Sequence, residues 1–210
     1  MGGEVVRQGL LISFEGVEKV GKSTQILLLS QWLHEQNIET VVLREPGGTV
    51  LGETLRQVIL HDVAIASPWA ELLVFAGARA ELTETVIGPH LADGSVVIVD
   101  RFIDSSVAYQ GYGRGLPLED VKTINRLATR GLEPDLTFWL QGPGFDTEVQ
   151  PDQIESRDAS YFRRVSEGYR ELALRNSARW RIVDATQPMG DVFEAICQDL
   201  EPWINTLRGG

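Results

Sequence analysis

The sequence is poor in the two residue types that most often build metal centres. It contains one cysteine, Cys197, in 210 residues, so an internal disulfide and a cysteine-cluster metal site are excluded. The three histidines, His34, His61 and His90, lie far apart and lack the spacing of a metal-binding motif. A single cysteine is typical of a protein from a reducing compartment, and we expect a cytoplasmic location.

Positive charge and long apolar runs are also scarce. Lysine and arginine number 19 against 30 aspartates and glutamates, which gives a net charge of -11. General binding to nucleic acid or to an anionic membrane needs a spread of positive charge. No apolar run approaches the roughly 20 residues of a membrane span, and residues 1–9 lack the apolar core of a secretion signal. We expect neither a nucleic-acid partner nor a membrane.

The chain does contain short apolar runs that alternate with helical patterns. The runs predict five β-strands at residues 10–14, 40–44, 95–100, 136–140 and 180–184. Helices between successive strands imply right-handed crossovers and a five-stranded parallel sheet with helices on both faces. We therefore predict one three-layer α/β domain over residues 1–210. The irregular stretch 142–157, rich in glycine, proline and acids, is predicted to be a short lid.

A motif with a defined chemistry lies between the first strand and the first helix. Its sequence, Gly-Val-Glu-Lys-Val-Gly-Lys-Ser-Thr, matches the phosphate-binding loop G-x-x-x-x-G-K-[S/T]. Backbone N–H groups of such a loop and the helix N-terminus bind phosphate. The residues predicted to bind ATP are Gly16, Val17, Glu18, Lys19, Val20, Gly21, Lys22, Ser23 and Thr24. Lys22 is expected to neutralise the β- and γ-phosphates, and the Ser23 hydroxyl to bind Mg²⁺.

The end of the strand at residues 95–100 offers a second metal ligand. Asp100 closes this strand, and such a carboxylate binds Mg²⁺ in many nucleotide sites. A strand that ends in aspartate is common by itself, so the prediction depends on the phosphate-binding loop. Arg101 follows at the same strand end, where ligands of parallel sheets gather, and phosphate is its natural bidentate partner. The base-reading signature of G-proteins, N-K-x-D, is absent from the sequence, and the chain length is typical of a small-molecule kinase.

Four further segments resemble the thymidylate kinases. They are residues 44–56 with Arg-Glu-Pro-Gly-Gly-Thr, 71–79 with Glu-Leu-Leu-Val-Phe, 98–110 with Ile-Val-Asp-Arg-Phe-Ile-Asp-Ser-Ser, and 184–188 with Asp-Ala-Thr-Gln-Pro. The resemblance extends from about residue 10 to 207. It implies the P-loop NTPase fold, Mg²⁺-dependent phosphorylation of dTMP by ATP to give dTDP, and a homodimer.

The resemblance also implies which residues bind the acceptor dTMP: Glu18, Arg56, Phe75, Arg79, Arg101, Ser105, Tyr109 and Gln110. Phe75 is expected to stack on thymine, and Arg79, one helical turn later, to bond the base carbonyl. Arg56 and Arg101 are expected to bind the acceptor phosphate. Tyr109 is expected to lie beneath the deoxyribose.

The remaining roles concern the edge of the base and the sugar. Ser105 and Gln110 are expected to bond the base edge, and Glu18 the sugar 3′-hydroxyl. Without the resemblance, the sequence favours Phe75 as a core aromatic and Arg79 as a solvated helix residue, and Tyr109 could equally be a core aromatic. The neighbours of Arg79, Ala78 and Ala80, offer it no local partner.

The predicted lid departs from the family pattern. Residues 152–155 read Asp-Gln-Ile-Glu, so Gln153 stands where bacterial relatives carry arginine, and residues 141–156 contain no basic side chain. Lys19 is predicted to replace the missing catalytic cation beside Lys22, Arg101 and Asp100, with Arg157 as a second candidate. Two alternatives stay open: another nucleoside monophosphate or deoxynucleoside kinase, and a degenerate nucleotide-binding paralogue that the altered lid favours.

Overall fold

A computed structural model describes residues 8–62, 65–142, 154 and 157–209. Its strands form one parallel sheet in the order β2-β3-β1-β4-β5. Their bounds are Leu10–Glu15 (β1), Thr40–Arg44 (β2), Val96–Asp100 (β3), Leu136–Gln141 (β4) and Trp180–Asp184 (β5). The prediction of a five-stranded parallel sheet is confirmed, and each strand lies within one or two residues of its expected position.

Helices connect the strands, as the alternation of apolar runs and helical patterns predicts. The α-helices are Lys22–Glu35 (α1), Val50–Gln57 (α2), Pro68–Leu82 (α3), Gly88–Ala92 (α4), Ile103–Ser106 (α5), Leu118–Thr129 (α6), Ala159–Arg175 (α7) and Met189–Gly209 (α8). π-Helical turns extend α2, α3 and α5 through Val58–Asp62, Thr83–Ile87 and Val107–Gly113. α5 and its π-helical extension follow β3, where the family resemblance of residues 98–110, and not an apolar pattern, implies a helix after the strand.

The two faces of the sheet are covered by different helices. Successive side chains of a strand point to opposite faces. Leu10, Ile12 and Phe14 of β1 pack with buried residues of α1 and α8. Leu11 of the same strand packs on the opposite side, in a cluster that contains Leu82 of α3. The sheet is therefore the middle layer of three, as predicted.

The carboxyl end of β1 is the point at which the residues predicted to bind ligands meet. β1 is the central strand, and its residue Phe14 is in register with Asp100 of β3. The backbone N–H of Arg101 donates to the Phe14 carbonyl over 3.0 Å. The phosphate-binding loop and the Asp100–Arg101 pair therefore lie at the same edge of the sheet.

Most of the predicted lid, including Gln153, lies outside the described residues. Of residues 142–157, only Gly142, Ile154 and Arg157 are described. The lid therefore stays a prediction.

Within the described residues, no helix combines the length and the apolarity that crossing a bilayer requires.

Candidate active site

The phosphate-binding loop joins β1 to α1 through an unusual backbone. Gly16 and Gly21 have φ angles of 137° and 102°, and Lys19 adopts the left-handed region with φ 59°. A Cβ atom on Gly16 would lie 2.6 Å from the Leu140 carbonyl oxygen. The loop therefore needs glycine at this motif position for space as well as for conformation.

The Lys22 ammonium lies at the centre of this loop. It donates to the carbonyl oxygens of Gly16 and Val17 over 3.3 and 3.0 Å, and its Nζ lies 4.0 Å from Asp100 Oδ1. The pKa of Lys22 is lowered to about 8, chiefly by burial and then by the positive charge of Arg101, while Asp100 opposes the shift. The Lys22 ammonium is therefore placed to contact a phosphate that the loop amides would bind.

Asp100 and Ser23 place two oxygen donors beside Lys22. The Ser23 hydroxyl donates to Asp100 Oδ2 over 3.3 Å. Asp100 Oδ1 is buried and accepts no hydrogen bond from the described part of the chain. That part of the chain also holds no cluster of three or more histidine, cysteine, aspartate or glutamate residues. A hydroxyl and a carboxylate can hold a divalent cation that takes its remaining ligands from phosphate and water.

A cavity of about 160 Å³ opens next to the loop; we call it the central cavity. Every residue predicted to bind the acceptor lines it, and those residues come from widely separated parts of the chain. The lining is Glu18, Glu45, Pro46, Arg56, Leu60, Phe75, Arg79, Arg101, Ser105, Ser106, Tyr109, Gln110 and Ile154. The structure thus brings these residues together, while their individual roles stay predictions.

Arg101 joins the loop to the central cavity. Its Nη2 donates to Glu18 Oε1 over 3.0 Å, and its guanidinium carbon lies 5.0 Å from the Tyr109 ring centroid. The Tyr109 hydroxyl donates to the same Glu18 oxygen over 2.7 Å. Burial raises the pKa of Glu18, but Arg101 and the Tyr109 hydrogen bond outweigh it, so that the pKa is lowered. Glu18 is therefore an ionised acceptor on the cavity wall.

Arg79 lies on α3, lines the central cavity and is fully buried. Its Nε donates to Glu45 Oε2 over 2.7 Å, and its Nη1 donates to Ser106 Oγ and Asn125 Oδ1 over 2.9 and 2.7 Å. Its Nη2 donates to the Phe102 carbonyl over 3.1 Å. The alternative of a solvated helix residue is thereby excluded. These bonds use four of the five guanidinium hydrogens, which leaves one for a ligand in the cavity.

Sequence analysis missed Glu45 and Ser106 beside Arg79. Burial raises the pKa of Glu45 to about 7, although Arg79 opposes that shift. Its Oε1 is buried and, within the described residues, accepts no hydrogen bond. The sequence did contain a signal for Glu45. This residue directly follows an apolar strand, in the same way that Asp100 ends another apolar strand. Of the paired serines, Ser106 bonds Arg79, whereas the Ser105 hydroxyl lies on the side of Arg101.

The other residues predicted to bind the acceptor also line the central cavity. Phe75 is half-buried, one turn before Arg79 on α3. Gln110 Nε2 donates to Glu71 Oε1 over 2.9 Å, and Arg56 Nη1 donates to the Pro46 carbonyl over 3.0 Å. Tyr109 and Gln110 both lie in the π-helical turn after α5, a local geometry that is frequent at functional sites.

Arg157, the second candidate to replace the lid cation, has its contacts away from the phosphate-binding loop. Its Nη2 donates to Glu71 Oε2 over 2.6 Å, and its Nη1 donates to the Tyr161 hydroxyl over 2.7 Å. Arg114 Nε lies 3.7 Å from the same Glu71 oxygen. The structure therefore places Arg157 in an ion-pair cluster around Glu71 and not at the phosphate-binding loop.

A second cavity, of about 190 Å³, lies on the other side of the loop. Its walls come from the loop, α1, the end of β4 and the segment after β5. Its apolar lining is Val20, Leu140, Ala185, Met189 and Val192. Gln25 adds a polar atom, because its Oε1 is buried and accepts no hydrogen bond from described residues. The loop therefore lies between two cavities.

Comparison with known proteins identifies similar chains. A family model described as thymidylate kinase matches residues 14–196. A thymidylate kinase of Kosmotoga olearia is 40% identical over 207 residues, covering 96% of this chain and 100% of that protein. One from Synechococcus sp. is 43% identical over 204 residues, covering 96% and 98% of the two chains. A crystal structure of thymidylate kinase from Ehrlichia chaffeensis superposes with a TM-score of 0.76 at 32% identity, covering 91% of this chain and 98% of that one.

Proposed function

The chain belongs to the thymidylate kinase family, and from that premise we propose that it transfers the γ-phosphoryl group of ATP to the phosphate of dTMP. The observation that carries the proposal is the position of Arg101 and Glu18, which lie both at the phosphate-binding loop and on the wall of the central cavity. Donor and acceptor phosphates would meet between them. The similar proteins support neither of the two alternatives, a kinase for another acceptor or a degenerate nucleotide-binding paralogue.

The reaction needs charge neutralisation and alignment more than proton transfer. The acceptor is a phosphate and already anionic, so no general base is required. Catalysis then rests on holding both phosphates in line and on stabilising the negative charge of the moving phosphoryl group. Lys22, the loop amides and Arg101 supply that stabilisation.

We propose that Ser23 and Asp100 hold a magnesium ion. A hydroxyl and a carboxylate that are 3.3 Å apart, with one buried carboxylate oxygen not used for hydrogen bonding, fit a cation that prefers oxygen ligands. When bound, Mg²⁺ neutralises charge on the β- and γ-phosphates. Asp100 also keeps the Lys22 ammonium near the loop.

The central cavity binds dTMP in this proposal. Phe75 stacks on thymine, and the remaining Arg79 hydrogen reaches its carbonyl oxygen. Tyr109 lies beneath the deoxyribose. The remaining predicted contacts are Glu18 on the 3′-hydroxyl, Ser105 and Gln110 on the base edge, and Arg56 and Arg101 on the acceptor phosphate. The second cavity, with its apolar lining, accommodates the base of ATP.

Lys19 is proposed to replace the cation that the lid at residues 142–157 lacks. Its position in the loop brings an ammonium group near the transferred phosphoryl group. Lys19→Gly removes the charge without backbone strain, because φ at this residue is 59°. We expect kcat to fall about 100-fold, the lower end of the effect of removing one preorganised donor, while ATP still binds. Lys19→Arg keeps the charge and is expected to retain most of the turnover. Full turnover by Lys19→Gly would contradict this role.

A homodimer is proposed through α3. Trp69 and Leu73 lie one turn apart on this helix and are both exposed, whereas Leu72 beside them is fully buried. An exposed apolar pair of this kind is typical of an interface. Leu73→Glu places a charge there and is expected to raise the dimer dissociation constant at least about 100-fold, measured by light scattering after size exclusion. Leu174→Glu, at an exposed leucine of α7, is the control and should not alter the mass. A monomeric wild type would refute the proposal.

We propose that the enzyme is cytoplasmic. One cysteine suits a reducing compartment. The net charge of -11 suits small substrates held at a local cationic site better than it suits nucleic acid. ATP and dTMP are the proposed partners.

The test is ADP formation from Mg²⁺-ATP with a panel of acceptors. dTMP, dUMP, UMP, dCMP, AMP, GMP and thymidine would each be supplied to the purified protein. We expect dTMP to give the highest kcat/KM. A different best acceptor would keep the phosphoryl-transfer mechanism and overturn the assignment of the central cavity.

A further inference from the structure

Glu15 is a buried carboxylate to which the proposed chemistry gives no role. Glu15 is the last residue of β1 and is fully buried. Its Oε1 accepts from the backbone N–H of Phe102 over 2.9 Å. Its Oε2 accepts from Ser105 Oγ over 2.6 Å and from the Tyr169 hydroxyl over 3.0 Å. A carboxylate so far from water is costly unless it is fully hydrogen-bonded, and Glu15 has such partners.

The same two hydroxyls contact Arg101. Its Nη1 donates to Ser105 Oγ over 3.3 Å and to the Tyr169 hydroxyl over 3.2 Å. Each hydroxyl has a single hydrogen. The two hydroxyl oxygens also lie 2.9 Å apart, so the Tyr169 hydrogen can point to Glu15 or to Ser105, whose own hydrogen points to Glu15. In both cases oxygen lone pairs face the guanidinium. The hydrogen bonds then run in one direction, from Arg101 through the hydroxyls to the Glu15 carboxylate.

Glu15 also holds the backbone beside Arg101. Arg101 has φ 71°, in the left-handed region that non-glycine residues rarely adopt. The residue is fixed on both sides, because its own N–H donates to the Phe14 carbonyl and the next N–H donates to Glu15. The strained position of Arg101 is therefore supported through its backbone and through its side chain.

We propose that Tyr169 is a positioning residue, whose hydroxyl, together with Ser105 and Glu15, holds the Arg101 guanidinium in place for the acceptor phosphate. This inference rests on the proposed function, which gives Arg101 its ligand. The Nη1 group is occupied by the two hydroxyls, while Nη2 bonds Glu18 with one hydrogen and has a second for the phosphate. Tyr169 lies on α7, the helix that follows the predicted lid.

The phosphate group of dTMP allows a selective test of this arrangement. Affinities for dTMP and for thymidine, which lacks the phosphate, are measured by calorimetry in wild type and in Tyr169→Phe. We expect the variant to bind dTMP about tenfold more weakly and thymidine unchanged. In kinetics, KM for dTMP should rise and kcat should fall, while KM for ATP stays the same. Burial raises the pKa of Glu15 to about 7, so measurements are made above that pH.

A matched control removes another buried tyrosine hydroxyl from the same helix. Tyr161 bonds Arg157 through its hydroxyl, and Tyr161→Phe is expected to leave the ratio of dTMP to thymidine affinity unchanged. Glu15→Gln keeps the shape of the side chain and removes its charge. Glu15→Gln should lower the ratio of dTMP to thymidine affinity, as Tyr169→Phe does. If Tyr169→Phe fails to fold, Glu15→Gln takes its place in the test.

The decisive comparison is made in an Arg101→Ala background. If Tyr169 acts through Arg101, adding Tyr169→Phe to Arg101→Ala will not lower the dTMP-to-thymidine ratio further. An equal loss of dTMP and thymidine affinity in Tyr169→Phe, or a further loss in the double variant, would overturn the inference. A wild type that is inactive with dTMP would refute the proposed function instead, so that the two failures are distinguishable.

Discussion

Lys22→Ala is expected to lower kcat for dTMP phosphorylation by about 10³-fold, the upper end of the effect of removing one preorganised donor from an active site. The ammonium is buried in the loop, bonds the Val17 carbonyl and lies 4.0 Å from Asp100, so it is held where the loop would bind the β- and γ-phosphates. The measurement is steady-state ADP formation at saturating ATP and dTMP. Because the lost interaction is strongest in the transition state, kcat should fall more than KM rises.

The control for this variant is Lys122→Ala. Lys122 is an exposed residue of α6 that pairs with Glu119 over 2.7 Å, far from the loop. Its removal should change kcat by less than about twofold, because Lys122 lines neither of the two cavities of the proposed site. A Lys22→Ala enzyme with normal kcat and a raised KM for ATP would contradict the catalytic role and leave only ground-state binding.

The second large effect is expected on stability. Arg79→Met removes the guanidinium that bonds Glu45, Ser106 and Asn125 inside the protein. Removing one partner of a buried ion pair costs about 3 to 5 kcal/mol, and here Glu45, Ser106 and Asn125 all lose a buried hydrogen-bond donor. For a chain of this size the melting temperature should fall by roughly 10 °C. Thermal unfolding followed by circular dichroism measures the change.

Two further variants establish the cause of that loss. Arg126→Met changes an exposed arginine of α6 and is expected to shift stability by no more than about 0.5 kcal/mol. Adding Glu45→Gln to Arg79→Met removes the unpaired carboxylate and should recover part of the lost melting temperature. If the double variant is instead less stable by the sum of the single effects, the two residues are not energetically coupled.

The fold was largely readable from local sequence. Each strand is a short apolar run, and the helix starts carry ordinary signals: Ser67 accepts a hydrogen bond from the Ala70 N–H, and Pro68 begins α3. The exception is α5 with its π-helical turn through Val107–Gly113. A π-helical turn has no characteristic hydrophobic period, so pattern analysis does not detect it.

The candidate site was only partly readable, because its hydrogen bonds join distant positions. The phosphate-binding loop was predictable from its motif, and Asp100 was predictable from its position at the end of a strand. The partners of Arg79 do not, since Glu45 lies 34 positions away in sequence and Asn125 lies 46. Tyr169 is 154 positions from Glu15, and nothing in the residues around it distinguishes it from a core tyrosine. The folded sheet decides which of these polar side chains meet.

The most direct test of the account is the identity of the product. Phosphorus-31 NMR of the purified protein with Mg²⁺-ATP and dTMP follows every phosphate at once. The account predicts that ATP and dTMP disappear together while ADP and dTDP appear in equal amounts, with no inorganic phosphate. Release of inorganic phosphate without dTDP would mean that water, and not dTMP, is the acceptor, and would contradict the assignment of a dTMP kinase.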